Sequence, residues 1–302
     1  MQKLIYKSKL SKRLDSYLAA IYVNEHSRTY FKKLICDKKI LINNKVVNKA
    51  SEKLKYNDTI FIIKESAKKT FLKTDITKQS KIDFPKIIYE DEDIIVVNKA
   101  PNIVVHPSYG HDDNTLIDLL KTKIKNIYLV HRLDKNTSGV IMFAKNHKTQ
   151  LIMLQQFKKR LIKKIYYTVI KGIISENKAI IKAPIGRSHK NRKIMSVNPT
   201  AKKMAITEFE VIKRKTIYTI LRIKILTGRT HQIRSHMKYI GHPIIGDKQY
   251  GGPCFINGNF YNRQMLHSYI LEIQHPRSLT NIKFIAELPT DMQKIFKNIN
   301  LK

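Results

Sequence analysis

A chain of 302 residues can bury one substantial core and still leave length for a small module, so two domains are expected. Its 58 Lys plus Arg against 23 Asp plus Glu give a net charge of +35, which disfavours cationic partners and points to a polyanion. A duller reading of the lysine excess is AT-biased codon usage, which would inflate lysine without selection for binding; only 12 of the 58 are arginine, and an arginine kept against that drift suggests a planar, bidentate requirement.

The sequence has no apolar run of about 18 residues, and its first residues lack the apolar core and small-residue cleavage site of a signal peptide, so a soluble, cytoplasmic protein without membrane attachment is expected. Cys36 and Cys254 are too isolated to suggest a disulfide or a zinc site, and are expected to be packing residues.

The first 80 residues carry 19 basic against 7 acidic side chains. There Leu14, Leu18 and Ile21 fall at helical spacing, and after a cap at Ser27 so do Phe31, Leu34 and Ile35, predicting two short amphipathic helices. Strands follow at Ile40–Ile42, at Val46-Val47 beyond a turn at Asn43-Asn44, and at Thr59–Ile63. Between Ala67 and Ser80 the pattern gives way to polar residues; residues 1–70 read as one domain, 71–84 as a linker and 85–302 as a second domain.

The second domain opens with Ile87–Tyr89, an acidic turn at Glu90–Asp93 and Ile94–Val97, the pattern of a hairpin with a buried second strand. Leu151, Leu154, Phe157 and Leu161 have a helical period, whereas Leu221, Ile223 and Ile225 alternate with Arg222 and Lys224 as in a half-buried strand. Strands and helices mix without βαβ alternation, so the fold class is α+β with a largely antiparallel sheet.

The run Val130-His131-Arg132-Leu133-Asp134-Lys135-Asn136-Thr137-Ser138-Gly139 reads as a polar loop feeding a strand at Val140–Phe143. On its own this is an ordinary turn, and its Asn-Thr-Ser sequon is accidental without a secretory signal. Yet the ten residues resemble the signature loop of the RluA family of pseudouridine synthases. Three further stretches resemble that family: Lys164–Val169, Thr227–His236 and Gly241–Asp247. Residues about 10–65 resemble an S4 RNA-binding domain and about 85–290 the family's catalytic domain.

The resemblance implies an RNA isomerase, with Asp134 as the essential carboxylate, Arg234 as its partner, Tyr166 as the active-site tyrosine, and Arg132 as the residue that fills the gap left by a flipped uridine. An aspartate can attack C1′ or C6 or remove the 2′ proton, and the sequence leaves these alternatives open. A guanidinium nearby would favour an ionised carboxylate, and a tyrosine offers a stacking face and a hydroxyl that could assist proton removal from C5. His131 and Arg229 are expected either to shape their loops or to touch phosphate. Arg28, Lys32 and Lys33 form a charged helix face, a solvated surface on the plainest reading and an RNA-phosphate contact on the S4 resemblance. One departure is Ala100, which stands where the first motif commonly has proline, with Pro101 one place later.

His231 and His236 are poorly spaced for one metal, and no metal or cofactor is expected. Val104–Pro107, Ala183–Ile185 and Arg263–His267 resemble the large-subunit synthase D subgroup more than its sister C, which implies 23S ribosomal RNA in an assembling large subunit as partner and uridines of the helix 69 loop as targets. A monomer is expected. The alternatives are a sister synthase with another rRNA site and a noncatalytic S4-type assembly factor.

Overall fold

The computed structural model describes residues 2–8, 10–22, 28–36, 39–47, 49–63, 83–107, 115–188, 194–256, 258–297, 299 and 301. The chain divides into two compact units, Met1–Gln79 and Ser80–Lys302. Most of the expected linker lies outside the described residues, as does the expected cap Ser27.

The first unit contains β1 (Gln2–Ile5), α1 (Leu14–Ile21), α2 (Arg28–Cys36), β2 (Ile40–Ile42), β3 (Lys45–Val46) and β4 (Thr59–Ile62). Its strands form an antiparallel sheet in the order β1-β4-β2-β3. Asn43 and Asn44 both take positive φ, 49° and 62°, as a two-residue turn between twisted strands requires. Leu14, Leu18, Phe31 and Ile35 pack with Ile40 and Ile60 in one core. Ile21, expected on the buried stripe, is exposed at the end of its helix, and β1 carried no turn signal that would have announced it.

The second unit runs β5 (Lys86–Glu90), β6 (Ile94–Lys99), α3 (Leu116–Lys121), β7 (Tyr128–Leu129), β8 (Ser138–Ala144), α4 (His147–Lys158), β9 (Lys163–Lys171), β10 (Lys178–Arg187), β11 (Met195–Val197), β12 (Met204–Arg214), β13 (Tyr218–Ile225), α5 (Gln232–Tyr239), β14 (Phe255–Ile256), β15 (Asn259–Phe260), β16 (Leu266–Gln274), β17 (Asn281–Ile285) and α6 (Thr290–Gln293). Eleven of these strands share one sheet, whose main path is β11-β10-β12-β13-β9-β16-β8-β6-β5, with β17 on β16 and β7 on β8. Among the pairs of that sheet only β8 with β16 is parallel, so the α+β, largely antiparallel expectation holds.

Central strands bury both faces. In β6, Ile95 and Val97 enter one core while Ile94 and Val96 enter the other; in β8, Ile141 and Phe143 are divided from Val140 and Met142 in the same way. The α4 helix forms where its period predicted, and Phe157 of the expected set packs against the core, but the rest of the inward face differs. Leu151 and Leu154 are 49% and 41% exposed, and Leu161 lies beyond the helix end. Met153 and Thr149 are buried instead, because Thr149 donates its hydroxyl to Asp93 and Gln156 donates its amide to the Gln274 carbonyl. Two polar anchors thus accompany the apolar contacts of Met153 and Phe157.

Candidate active site

Residues 130–137 link β7 to β8, and their shape is held from several sides. The Thr137 amide donates to the Asp134 carbonyl at 3.1 Å, closing a tight turn. Lys99, fully buried at the end of β6, donates its ammonium to the carbonyls of Lys135, Ala100 and Ile103, each at 2.9 Å, which satisfies all three N–H groups. Burial drives its amine down to about 7, while the negative charge of Asp134 opposes that fall. Arg263 donates Nη1 to the Asn136 carbonyl at 3.0 Å and grips Asp291 with its other nitrogens at 2.7 and 2.8 Å. Two buried cations therefore fix the peptide carbonyls just after Asp134.

The loop ends at Gly139, where β8 begins to run beside β16. Its φ is +115°, and a Cβ there would stand 2.1 Å from the Ser268 carbonyl oxygen, so only glycine permits the approach. At the other end His131 accepts the Met142 amide on Nε2 at 3.0 Å, and burial pushes its imidazole down to about 3. His131 thus holds the loop through its neutral imidazole, and it also lines the larger of the two cavities at Asp134.

Asp134 is 20% exposed and faces Arg234, whose Nη1 lies 3.2 Å from Oδ2. Arg234 projects from α5 and is buried. Its opposite edge is locked: Nε and Nη2 donate to the two oxygens of buried Asp247 at 2.7 and 2.8 Å, Nη2 also donates to Gln249 at 2.8 Å, and the Tyr250 ring lies 4.7 Å from the guanidinium carbon. Isolated burial would cost several kcal/mol for such a cation; the planar fork against a bidentate carboxylate offsets it. Asp247 follows Gly246, whose φ of +78° and 1.8 Å virtual Cβ distance to the Arg263 carbonyl oxygen exclude a side chain. With one edge of the guanidinium fixed, Nη1 is aimed at Asp134 in a single direction.

His231 precedes α5 with φ +52°. Its Nδ1 lies 2.8 Å from the Tyr250 hydroxyl, and its Nε2 is 3.9 Å from Asp134 Oδ1. Burial lowers its imidazole below the usual value, against the pull of Asp134. Tyr166 sits in β9, buried, sharing a hydrogen bond with Ser268; burial pushes its phenol up to about 12. The hydroxyl therefore stays protonated at neutral pH, which favours a stacking and hydrogen-bonding part over that of a ready base.

Two adjoining cavities, of about 390 and 230 Å³, meet at Asp134. Arg132, Asp134, His231 and Arg234 line both, and of these Arg132 is exposed. The larger also takes in Lys164, Tyr166 and Arg229; the smaller takes in His106 and Gln249. Arg229 donates Nε to the Met204 carbonyl at 3.2 Å. The four residues Arg132, Asp134, Tyr166 and Arg234 singled out from the sequence are thus brought to one place.

Arg28 belongs to the other unit. Half-exposed, it donates Nε to the buried Asp15 at 3.0 Å, and Arg13 holds the same carboxylate at 3.1 Å. Burial would raise the Asp15 carboxyl, but the two guanidinium hydrogen bonds outweigh it and hold it at about 2. Lys32 and Lys33 lie in α2, and their side chains are outside the described residues. His236 is buried against Thr207 and the Ala183 carbonyl, and among the described residues no group of three metal-ligating side chains occurs. No helix among them is long and apolar enough to cross a membrane. Cys254 is a half-buried free thiol. Lys99, Asp247, Gln249 and Arg263 were not singled out as site residues from the sequence.

Residues 93–239 match the RNA pseudouridylate synthase family, and residues 12–60 match the S4 domain. Among relatives, an uncharacterized RNA pseudouridine synthase, YlyB, of Bacillus subtilis is 35% identical, the match covering 96% of this chain and 94% of the relative. Ribosomal large subunit pseudouridine synthase D of Escherichia coli is 33% identical over 97% of this chain and 92% of its own. A solved structure of human RNA pseudouridylate synthase domain containing 4 superposes with a TM-score of 0.59 at 20% identity, covering 70% of this chain and 91% of that one. Human RNA pseudouridylate synthase domain containing 1 gives 0.57 at 24% identity, covering 75% and 100%; both likenesses concern the fold.

Proposed function

Because the chain belongs to the RNA pseudouridine synthase family and carries an S4 domain, we propose that it isomerises uridine to pseudouridine in large-subunit ribosomal RNA, with Asp134 as the catalytic carboxylate. The reaction breaks the bond from N1 to C1′, turns the base and joins C5 to C1′; C5 gives up one proton and N1 gains one. It needs neither redox change nor net hydrolysis.

The observation that carries this reading is the aim of Arg234: a guanidinium locked by Asp247 along one edge and directed at Asp134 along the other. That keeps a carboxylate oriented at the meeting point of two cavities, where a flipped nucleotide can enter. Tyr166 provides a surface for the uracil, and the exposed Arg132 fills the stack that the uridine leaves. The exposed part of Arg28 and the Lys32 and Lys33 face hold RNA phosphates.

The targets are uridines in the helix 69 loop, within an assembling large subunit. A hairpin loop offers bases already partly unstacked, and its stem offers phosphates to a basic module. Support for this finer assignment is the relationship to several enzymes called large-subunit synthase D. Mapping pseudouridine in rRNA from cells lacking the protein tests it: the marks in helix 69 should vanish and others remain. Loss of a mark elsewhere with helix 69 spared would transfer the assignment to a sister synthase, and an unchanged map would leave the assembly-factor reading.

A further inference from the structure

Among the cations around the site that are not exposed, Lys164 stands apart. Arg234 is paired with two carboxylates, Lys99 with three carbonyls, Arg263 with Asp291, and the adjacent Lys163 with Glu272. Lys164 is half-buried, yet among the described residues its ammonium has neither a hydrogen-bond acceptor nor a carboxylate within ion-pair distance; its neighbours are the Phe157 ring at 5.5 Å and Gly228. Burial alone pulls its amine down to about 8. The Phe157 face offsets only part of the desolvation of that cation, and an external anion would compensate the rest.

Its place says which anion. Lys164 and Tyr166 are two residues apart on β9, so both point to the same face of the strand, roughly 7 Å apart along it, and both line the larger cavity with Asp134. A Cβ on Gly228 would stand 3.8 Å from the Lys164 ammonium, so the ammonium lies against the segment that carries Arg229, a second cation of the same cavity wall. A nucleotide with its uracil on Tyr166 and its ribose at Asp134 would bring a backbone phosphodiester within reach of that wall.

We infer that Lys164, with Arg229 on the same cavity wall, forms a subsite for the backbone phosphodiester next to the target uridine. The inference rests on the proposed catalytic pocket and assigns the strand's path through it. Lys164 thereby holds the flipped nucleotide by its phosphate while Asp134 acts on its sugar and base.

The test is single-turnover pseudouridine formation in a synthetic RNA hairpin that the wild-type protein modifies. The linkage on either side of the target is replaced in turn by an uncharged methylphosphonate, and each oligonucleotide is compared with one carrying the same protecting 2′-O-methyl group and an ordinary phosphodiester. Lys164→Met should slow the natural hairpin by about ten- to a hundredfold, the scale of one charged hydrogen bond. One of the two methylphosphonates should slow the wild-type protein by a similar factor, and the two losses should not multiply. Lys164→Arg should stay near wild type on the natural hairpin and remain sensitive to the same linkage, which separates lost charge from a damaged fold. Full activity of Lys164→Met, or losses that multiply, overturns the subsite. If the wild-type protein makes no pseudouridine in any RNA, the proposed function falls first and the subsite with it.

Discussion

Replacing Arg234 by lysine keeps the positive charge between Asp134 and Asp247 but removes the fork. The guanidinium reaches Asp247 through two nitrogens at 2.7 and 2.8 Å, Gln249 at 2.8 Å and Asp134 at 3.2 Å. A single ammonium cannot span both carboxylates along those directions. It will follow the shorter, fully buried contact to Asp247 and release Asp134. One charge-assisted hydrogen bond contributes about 1.5–3 kcal/mol, which at about 1.4 kcal/mol per decade is a loss of roughly ten- to a hundredfold or somewhat more. Free rotation of Asp134 adds to that, since about 1 Å of misplacement can cost a hundredfold. The loss should fall on the chemical step, because the net charge presented to RNA is unchanged. Release of tritium from RNA containing 5-tritiated uridine reads that step, as the C5 hydrogen is lost when the new bond forms. Measured with saturating protein in a single turnover, Arg234→Lys should be slowed by about 10²-fold or more while its RNA Kd stays within about twofold. A rate equal to wild type in a folded variant would refute the claim that Arg234 orients Asp134.

Lys99→Met should leave the carbonyls of Ala100, Ile103 and Lys135 without their donor, lowering the unfolding temperature and slowing tritium release by about 10²-fold as the turn after Asp134 relaxes; an unchanged rate would show that the loop holds itself. In the amino-terminal unit, the Asp15 carboxyl lies at about 2, below the usual value near 4, so its pairing with Arg13 and Arg28 stabilises the fold above about pH 4 and that stabilisation disappears as pH falls through about 2. Asp15→Asn should therefore be less stable than wild type in thermal unfolding at neutral pH, with the gap closing in acid; a gap independent of pH would mean that the carboxylate charge is not what holds those arginines.

Much of the framework was readable because burial on one or two faces leaves a period. Ile94–Val97 announced a strand buried on both sides, Leu14 with Leu18 a helix, and Asn43-Asn44 a tight turn. The α4 face was readable only at Phe157, because beside Met153 the residues that dock it are a threonine and a glutamine satisfied by partners far along the chain, Asp93 and Gln274. The same limit applies to the candidate site. Asp134, Arg132, Tyr166 and Arg234 came from a family likeness, since a polar loop by itself carries no chemistry. Lys99, Asp247 and Arg263 escaped notice as site residues because a buried ion resembles a surface one until its partners are known. For Arg263, its scarcity among 46 lysines was a usable sign, and Asp247 closed a motif already noticed.

The account turns on the carboxylate of Asp134, and the most direct measurement is single-turnover pseudouridine formation by Asp134→Asn on a large-subunit rRNA hairpin that the wild-type protein modifies. One neutralised side chain contributes little to phosphate binding in a protein of net charge +35, so RNA affinity should be nearly unchanged while no pseudouridine forms. Measurable conversion by a folded Asp134→Asn protein would contradict the assignment.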